Sequence, residues 1–445
     1  MLNHKMNINT FFGQHRAIIL IILFSFTLQI FFIFNYKANG PVELDAASYN
    51  TLAQNLLRYK IYSTDGGQTH NIRRAPVYPF FIFLIYLFFG EKVIAVQIAQ
   101  VILAVLACLL IYKIGCMVFD RRTAILAAFM AAIHPVFICQ SFYLVTELLA
   151  IFLITLAVYL ALYCMRSHKI VHFILLGLIL AITALCRPTV LLLPFFAVSL
   201  LLFYYNLKKT LRFAFFFLAT FAILVGLWTY RNYKLTGYII PVQSTGGGNI
   251  WLGTYVPGKG YEENARQESL KLVEHYSKLI SIKLQRENNA ISNPKVPYSD
   301  IIHYLADKEI TRDGIKNILN NPFGFIKILP YKFFRLYIGS YCFLYGIKES
   351  FGELWHSRNM DKGSYAKLII KVIIILFSLL IITFALMGLA VNINKTISIL
   401  PLFILFIYWN LFFVFFDTMT RYSIPILPIL ILMAARGIYF VGKYL

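Results

Sequence analysis

Acidic side chains at the edges of long apolar runs are the first residues of this sequence that suggest chemistry. Asp45, Glu147 and Asp417 each stand beside such a run, where a charge is costly and therefore suggests a function. The apolar residues after Asp45 recur at helical spacing, which predicts a short helix lying on a membrane surface. Asp45 could act there as a general base, or it could simply cap the helix N-terminus. Glu147 could contact a substrate or be a structural carboxylate.

Arginines stand near the same edges of the apolar runs. A guanidinium can hold a phosphate through two parallel hydrogen bonds, but an arginine at such a position can also be an interfacial anchor. Arg73 and Arg74 precede Pro76, which prevents a regular helix from starting earlier. The arginines in question are Arg73, Arg74, Arg187, Arg231 and Arg421.

A run of three glycines at 246–248 precedes Asn249 and Trp251. No Gly-Lys-Ser/Thr follows it, so the run is not a P-loop. We interpret it as a loop that allows close approach of a sugar or a lipid head group, with an aromatic side chain beside it.

The composition places these residues in a membrane protein. Of 445 residues, 60% are hydrophobic and 13% are charged, whereas soluble domains are about 45–50% apolar and about 25% charged. This excludes a soluble domain, a disordered chain and a disulfide scaffold. Long continuous apolar runs argue against the short alternating segments of a β-barrel. The six cysteines stand singly, without a CxxC pair that would suggest a zinc site.

The apolar runs predict an all-α polytopic membrane protein with about 10–12 transmembrane helices. The first run is too long for a cleaved signal peptide and has no small-residue cleavage site after it. The clear runs are 17–34, 92–112, 124–141, 144–164, 171–186, 189–205, 212–230, 368–392, 397–416 and 421–441, with weaker candidates at 76–89 and 326–346.

Lysine and arginine in the short loops set the orientation of the helices. Basic residues at 121–122, 166–169 and 208–212 fall on one side, which we take as the inside. Residues 35–75 and 231–325 then lie outside, and the chain ends inside if 326–346 lies along the membrane. The first outer loop is expected to carry surface helices. The modest length and lean loops favour a bacterial plasma membrane.

Three regions follow from this topology. We predict an N-terminal transmembrane module at 1–230 with a catalytic outer loop at 35–75, a small extracytoplasmic loop domain at 231–325, and C-terminal transmembrane helices at 326–445. The loop domain holds nine of the 19 acidic residues, so Asp45 and Glu147 are conspicuous outside it.

The net charge of +22 divides in the same way. Part of it is the ordinary inside-facing set, and the rest is a set of outer-face arginines beside scarce acids. That second set suits a phosphorylated lipid and not a nucleic acid.

The order of these motifs resembles the membrane glycosyltransferases of the C-type fold over residues 17 to about 440. Within them it is most similar to family 39, the dolichyl-phosphate-mannose–protein mannosyltransferases and the bacterial lipid A aminoarabinose transferases. Two departures are Ala46, where many relatives have a second acid, and Val77, where many have glycine. That second acid would have to be Glu43, Glu147 or none. The matching motifs are Asp45-x-x-x-Tyr49, Arg74-x-Pro76-x-Tyr78-Pro79, Pro135…Glu147, Arg187-Pro188-Thr189, Arg231-Asn232-Tyr233, Gly248-Asn249-x-Trp251-x-Gly253 and Arg421-Tyr422-x-x-Pro425.

The resemblance implies an inverting transfer of a monosaccharide from a polyprenyl-phosphate donor to a hydroxyl of a glycan, lipid or protein acceptor on the outer face. Asp45 would be the base and Glu147 a second catalytic residue that orients the acceptor or the partners of Asp45. Arg74, Arg231 and Arg421 would bind the donor phosphate. No cofactor is required by the sequence, although a divalent metal is compatible with it. The remaining substrate contacts would be Tyr49, Arg73, Tyr78, Arg187, Asn249, Trp251 and Tyr422.

Two other classes of function remain open at this stage. A flippase or transporter of lipid-linked sugars would need acids or helix breaks in mid-span and internal symmetry, and neither is evident in the sequence. A membrane assembly protein without enzymatic activity would not need the clustered outer-face charges.

Overall fold

The computed structural model describes residues 8–35, 45–260, 263–286, 295–338, 362–391 and 396–444. Glu43 and Cys342 lie outside these ranges. Within them the protein is helical and has no β-strand, so the predicted all-α fold is confirmed. Its helices are α1 (Ile8–Asn35), α2 (Asp45–Tyr59), α3 (Val77–Phe89), α4 (Val93–Val118), α5 (Arg121–Ile133), α6 (Pro135–Gln140), α7 (Glu147–Ser167), α8 (Ile170–Cys186), α9 (Leu193–Tyr204), α10 (Leu207–Thr236), α11 (Gly247–Thr254), α12 (Glu263–Arg286), α13 (Tyr298–Asn320), α14 (Pro322–Tyr337), α15 (Lys362–Val391), α16 (Thr396–Phe415) and α17 (Leu427–Tyr444).

Six helical segments of the described chain are long and apolar enough to cross a membrane. Shorter apolar helices accompany them, among them α8, α9 and α16. The protein is therefore an integral membrane protein. The six segments are Arg16–Asn35, Val93–Val118, Glu147–Ser167, Leu207–Thr236, Gly363–Val391 and Thr420–Lys443.

The end of α17 lies at the predicted inner side of the bundle. Arg436 Nη1 on α17 pairs with Asp120 Oδ2 at 3.0 Å, and Arg122 Nη1 lies 3.5 Å from the Tyr439 hydroxyl. Asp120 also accepts a hydrogen bond from the Thr123 amide and so caps α5. The C-terminal helix therefore ends on the same side as the first basic loop, as we expect if 326–346 lies along the membrane.

Helix α3, the weaker candidate span at 76–89, does not cross the bundle. It lies beside α2, and ion pairs tie the two helices together at both ends: Arg74 Nη2 to Asp45 Oδ1 at 2.9 Å, and Arg58 Nη2 to Glu91 Oε2 at 2.5 Å. Its 13 residues span about 20 Å, which is less than the roughly 30 Å hydrocarbon core. Helix α3 is therefore too short to span that core on its own, and it pairs with α2.

Proline breaks three of the predicted spans. Run 124–141 is interrupted at Pro135, where the His134 ring accepts the Val136 amide at 3.1 Å and starts α6. Run 189–205 begins as a 3-10 turn at Pro188–Val190, and run 421–441 begins as a 3-10 turn at Thr420–Ile426, which contains Pro425. The breaks at Pro188 and Pro425 take the chain out of regular helix beside the predicted site residues Arg187 and Arg421.

Helices α15 and α17 pack closely because small residues face each other. A Cβ atom on Gly437 would lie 2.2 Å from the Phe384 carbonyl oxygen, and one on Gly388 would lie 1.9 Å from the Met433 carbonyl oxygen. Such contacts let helix backbones approach closely, as is common in membrane helix pairs.

We expect Gly437→Ala to destabilise the protein by about 1–3 kcal/mol, because the added methyl group must push α15 and α17 apart. The midpoint of thermal unfolding in detergent measures the effect. Gly226→Ala on α10 is the matched control, since a Cβ atom added there would have no atom of the described chain within 4 Å beyond its own helix turn. Equal melting of both variants would contradict the close packing.

Candidate active site

Asp45, the first residue of α2, lies between two arginines from distant parts of the chain. Its Oδ1 atom is 2.9 Å from Arg74 Nη2, and its Oδ2 atom is 3.4 Å from Arg421 Nη2. The Asp45 and Arg421 side chains keep 37% and 35% of their surface exposed. This carboxylate and its two cations can therefore be reached from outside.

A buried acid lies behind this accessible layer. Glu147 Oε1 is 3.2 Å from Arg421 Nη2 and 3.4 Å from Arg187 Nη1. Glu147 is 2% exposed and Arg187 is 7% exposed. The Arg187 guanidinium also donates to the Thr146 hydroxyl at 3.4 Å. Arg421 thus bridges the accessible carboxylate and the buried one.

Local sequence explains why these groups meet at one end of the bundle. Glu147 begins α7, and Arg187 ends α8 just before the 3-10 turn at Pro188. Arg421 lies in the 3-10 turn that precedes α17. Each charge is therefore at an outer helix end and not in mid-span, which lowers the cost of its desolvation.

Aromatic rings line the arginines of this cluster. The Arg74 guanidinium carbon lies 5.3 Å from the centre of the Tyr49 ring, and Arg187 and Arg421 lie 6.0 and 5.9 Å from that of Tyr422. These distances allow cation–π attraction. Tyr49 and Tyr422 therefore lie beside the arginines of the cluster, and their contact with a substrate stays a prediction.

Tyr78 is not placed to contact a substrate. Its side chain is fully buried, and its hydroxyl donates to Gln100 Oε1 at 2.7 Å. Gln100 in turn donates to the Ser141 and Tyr143 carbonyls. The centre of the Tyr78 ring lies 5.3 Å from that of the Tyr49 ring, so Tyr78 packs against Tyr49. Our prediction of a direct contact is wrong because helix α3 turns this hydroxyl into the core.

The electrostatics of the outer cluster favour an ionised Asp45. Burial raises the pKa of Asp45, but the Arg74 and Arg421 guanidiniums lower it by more, so the pKa of this carboxyl lies below its ordinary 3.8. Asp417 behaves differently, since burial raises its pKa to about 7 in spite of the charges of Lys332 and Arg421.

Arg231 and Arg73, both predicted to bind substrate, do not join the cluster. Arg231 Nη1 donates to the Asn71 carbonyl and to Asn232 Oδ1, both at 2.9 Å. Arg73 Nη1 lies 3.7 Å from Asp300 Oδ1 on α13. These arginines therefore hold the first outer loop to α10 and α13. Local sequence does not reveal these partners, which come from distant parts of the chain.

The triple glycine does not face an open ligand site. The amides of Gly246, Gly247 and Gly248 donate to the Asp307 carboxylate, which caps the N-terminus of α11. A Cβ atom on Gly247 would lie 2.1 Å from the Asp307 carbonyl oxygen. Glycine is therefore needed here for contact with α13, and our interpretation of a ligand-binding loop is wrong.

Asn249 and Trp251 also have structural partners. The Asn249 carbonyl accepts the Asp417 amide at 2.8 Å, and its side chain is exposed. Trp251 is 6% exposed and stacks on Tyr255 with ring centres 4.5 Å apart. Helix α11 therefore contacts the chain just before Arg421 through its backbone, and the predicted contact of Trp251 with substrate is not supported by its burial.

Lys332 on α14 is an important residue that sequence reasoning missed. It is 2% exposed, and its ammonium group donates to the carbonyls of Gly253 and Val414 at 2.6 Å each. These carbonyls lie in the last turns of α11 and α16, where a cation is favourable. The only sequence signal was a lysine inside the weak apolar run 326–346.

A metal site was left open by the sequence. Among the described residues, no group of three or more His, Cys, Asp or Glu side chains is placed to hold a metal ion.

The fold is similar to that of solved membrane glycosyltransferases of the C-type fold. In structure it matches the archaeal oligosaccharyltransferase AglB from Archaeoglobus fulgidus, solved in complex with an inhibitory peptide and a dolichol-phosphate. The TM-score is 0.55 at 13% identity, over 98% of this chain and 51% of that chain. A second structure of this enzyme, tethered with an acceptor peptide, matches at a TM-score of 0.55, with 12% identity over 97% and 50% of the two chains. The chain thus spans about half the length of these proteins.

The sequence comparison agrees with the fold. Residues 73–230 match the model of the family described as dolichyl-phosphate-mannose-protein mannosyltransferase. This stretch contains Arg74, Glu147 and Arg187, whereas Asp45 and Arg421 lie outside it. ArnT from Cupriavidus metallidurans bound to undecaprenyl phosphate aligns over 97% of this chain and 78% of that chain, at 9% identity and a TM-score of 0.41. No curated protein sequence matches.

We expect Glu147→Gln to lower the free energy of unfolding by about 3 kcal/mol, because Arg187 would remain buried without its carboxylate. Thermal unfolding in detergent measures this loss. Glu309→Gln is the control, since Glu309 pairs with Arg312 at the surface, where an ion pair contributes about 0–1 kcal/mol. If Glu147→Gln unfolded together with Glu309→Gln, the pair would not stabilise the fold.

Proposed function

We propose that the protein transfers a monosaccharide from a polyprenyl-phosphate donor to an acceptor hydroxyl, with inversion at the anomeric carbon. The observation that carries the proposal is the arrangement around Asp45. Its two oxygens contact two different arginines, and the side chain remains 37% exposed. One cluster thus combines an accessible base with two cations suited to a phosphate. The match of residues 73–230 to the mannosyltransferase family and the AglB-like fold support the same activity.

Donor binding and release of the base are linked in this scheme. A polyprenyl-phosphate sugar is an anionic phosphodiester, so it competes with Asp45 for the guanidiniums of Arg74 and Arg421. When the phosphate takes these contacts, Asp45 loses the charges that hold its pKa below 3.8. The carboxylate becomes a stronger base at the moment when the donor is in place.

The transfer itself needs one proton acceptor and cationic stabilisation of the leaving group. The acceptor oxygen attacks the anomeric carbon and gives its proton to Asp45. The bond from that carbon to the phosphate oxygen breaks, and its electron pair stays on the phosphate. The leaving polyprenyl phosphate gains negative charge, which Arg74 and Arg421 stabilise. Alignment of the two substrates supplies a further part of the rate.

Glu147 has an orienting role in this scheme. It is buried and contacts Arg421 and Arg187, so it fixes the direction of Arg421 and does not itself receive the proton. The scheme needs no cofactor, since the arginines supply the positive charge.

We infer the location of the reaction from the same geometry. The cluster lies at the end of the bundle opposite Asp120 and Arg436, which pair at the predicted inner side. We place it at the outer face of a bacterial plasma membrane, where it meets membrane lipid and a glycan, lipid or protein acceptor.

Asp45→Asn is expected to reduce transfer at least about a hundredfold, because the amide cannot accept the acceptor proton. The assay follows a radiolabelled sugar from a panel of polyprenyl-phosphate monosaccharides into acceptors in membranes with equal amounts of protein. Glu91→Gln is the control, as Glu91 is an outer-loop acid paired with Arg58 away from the cluster. Undiminished transfer by Asp45→Asn would contradict the assigned base. Translocation of the donor without new glycosidic bonds would favour a flippase instead.

The pH dependence of kcat/KM gives a second test, since it reports groups of the free enzyme. Asp45 has a lowered pKa, so activity should persist on the acid side and fall only below about pH 4. Arg74→Gln removes a charge that stabilises the carboxylate, so the Asp45 pKa rises and the acid limb moves to higher pH. An acid limb that stays in place in Arg74→Gln would show that another group controls it.

A further inference from the structure

A buried asparagine fixes the backbone of the turn that presents Arg74. Asn71 Oδ1 accepts the backbone amides of Arg73 and Arg74 at 3.0 and 3.1 Å. Asn71 and Ala75 are buried, at 6% and 5% exposure. The segment Asn71–Ala75, here called the Arg74 turn, is therefore a fixed part of the core surface that directs Arg74 to Asp45.

Tyr62 is hydrogen-bonded to the backbone of the Arg74 turn. Its hydroxyl lies 3.2 Å from the Arg74 carbonyl and 3.0 Å from the Ala75 carbonyl, and its own carbonyl accepts the Asn71 amide at 2.7 Å. The ring is buried and stacks on Phe80 with centres 6.1 Å apart. Tyr62 thus contacts both ends of the turn.

Arg231 holds the same turn from the side of α10. Its Nη1 atom donates to the Asn71 carbonyl at 2.9 Å, and its guanidinium lies 4.6 Å from the Trp228 ring and 5.7 Å from the Tyr62 ring. No carboxylate of the described chain forms an ion pair with it. The Arg231 guanidinium therefore contacts a carbonyl and two aromatic rings, next to the turn that carries Arg74.

We propose that Tyr62 and Arg231 are positioning residues that act through the Arg74 turn to place the Arg74 guanidinium on Asp45. The inference rests on the proposed function, in which Arg74 binds the donor phosphate and stabilises the leaving group. This role takes the place of the predicted direct contact between Arg231 and the donor phosphate. Such a direct contact would not depend on Arg74.

A double-mutant cycle tests this dependence. Tyr62→Phe keeps the ring but loses the hydroxyl, so kcat/KM for the donor should fall about three- to tenfold, as expected for one hydrogen bond. Its acid limb should move to higher pH, as in Arg74→Gln, which a general loss of folded protein would not produce. In the Arg74→Gln background, Tyr62→Phe and Arg231→Gln should each change kcat/KM by less than about twofold.

The control removes a comparable hydroxyl elsewhere at the outer face. The Tyr304 hydroxyl donates to the Ile239 carbonyl at 3.3 Å and to no atom of the Arg74 turn, so Tyr304→Phe should shift neither kcat/KM nor the acid limb. Effects of Tyr62→Phe or Arg231→Gln that persist in full without Arg74 would overturn the proposal, and for Arg231 they would restore direct phosphate binding.

The same cycle is followed by thermal unfolding, which does not depend on transfer. Non-additive shifts in melting temperature between Tyr62→Phe and Arg74→Gln would support the proposed positioning role of Tyr62. This test holds even if the wild type transfers no sugar, because that outcome would count against the proposed function alone. Additive shifts in melting temperature would overturn the positioning role of Tyr62, whether or not the protein is a transferase.

Discussion

The guanidinium of Arg421, shared by two carboxylates, is the interaction on which the site depends. Its Nη2 atom lies 3.4 Å from Asp45 and 3.2 Å from Glu147. These three residues open α2, α7 and the last transmembrane segment, so one group connects three parts of the chain. A buried carboxylate beside the membrane is stable only when it is paired. The pairing therefore fixes the relative position of these helix ends as well as the charge of the site.

The balance of charge in the cluster favours an anionic ligand. Arg74, Arg187 and Arg421 supply three positive charges, and Asp45 and Glu147 supply two negative ones, which leaves one positive charge in excess. An isolated excess charge at the edge of a membrane is costly, and the phosphodiester of the proposed donor would neutralise it. Glu147 and Arg187 form a pair in the interior and neutralise each other. The excess positive charge therefore lies in the accessible layer, where an anionic ligand can reach it.

Local sequence patterns predicted the accessible part of this site better than its surroundings. Asp45 was found because an acid precedes a helical repeat, and Arg421 because it opens an apolar run. Partners at long range left no comparable signal. Helix α10 continues to Thr236 and turns Arg231 toward Asn71, and a tight contact with Asp307 explains Gly247 of the triple glycine. These outcomes depend on tertiary packing, which local spacing does not encode. The sequence contains prolines at 135, 188 and 425. The length of each apolar run nevertheless predicts one continuous helix, so the interruption of the helix at each proline was not predicted.

Support for Arg421 comes from helices α11 and α14 as well as from the bundle. The Asp417 amide donates to the Asn249 carbonyl on α11, and a Cβ atom on Gly253 would lie 2.2 Å from the Phe416 backbone carbon. Lys332 joins the last turns of α11 and α16 through two carbonyls at 2.6 Å. A side chain at position 253, or loss of the ammonium group, would separate these backbones. The chain before Arg421 is thus held in a narrow gap, and any movement of α11 must also move the residues that lead into Arg421. Helices α11 and α14 are for this reason a structural part of the charged site.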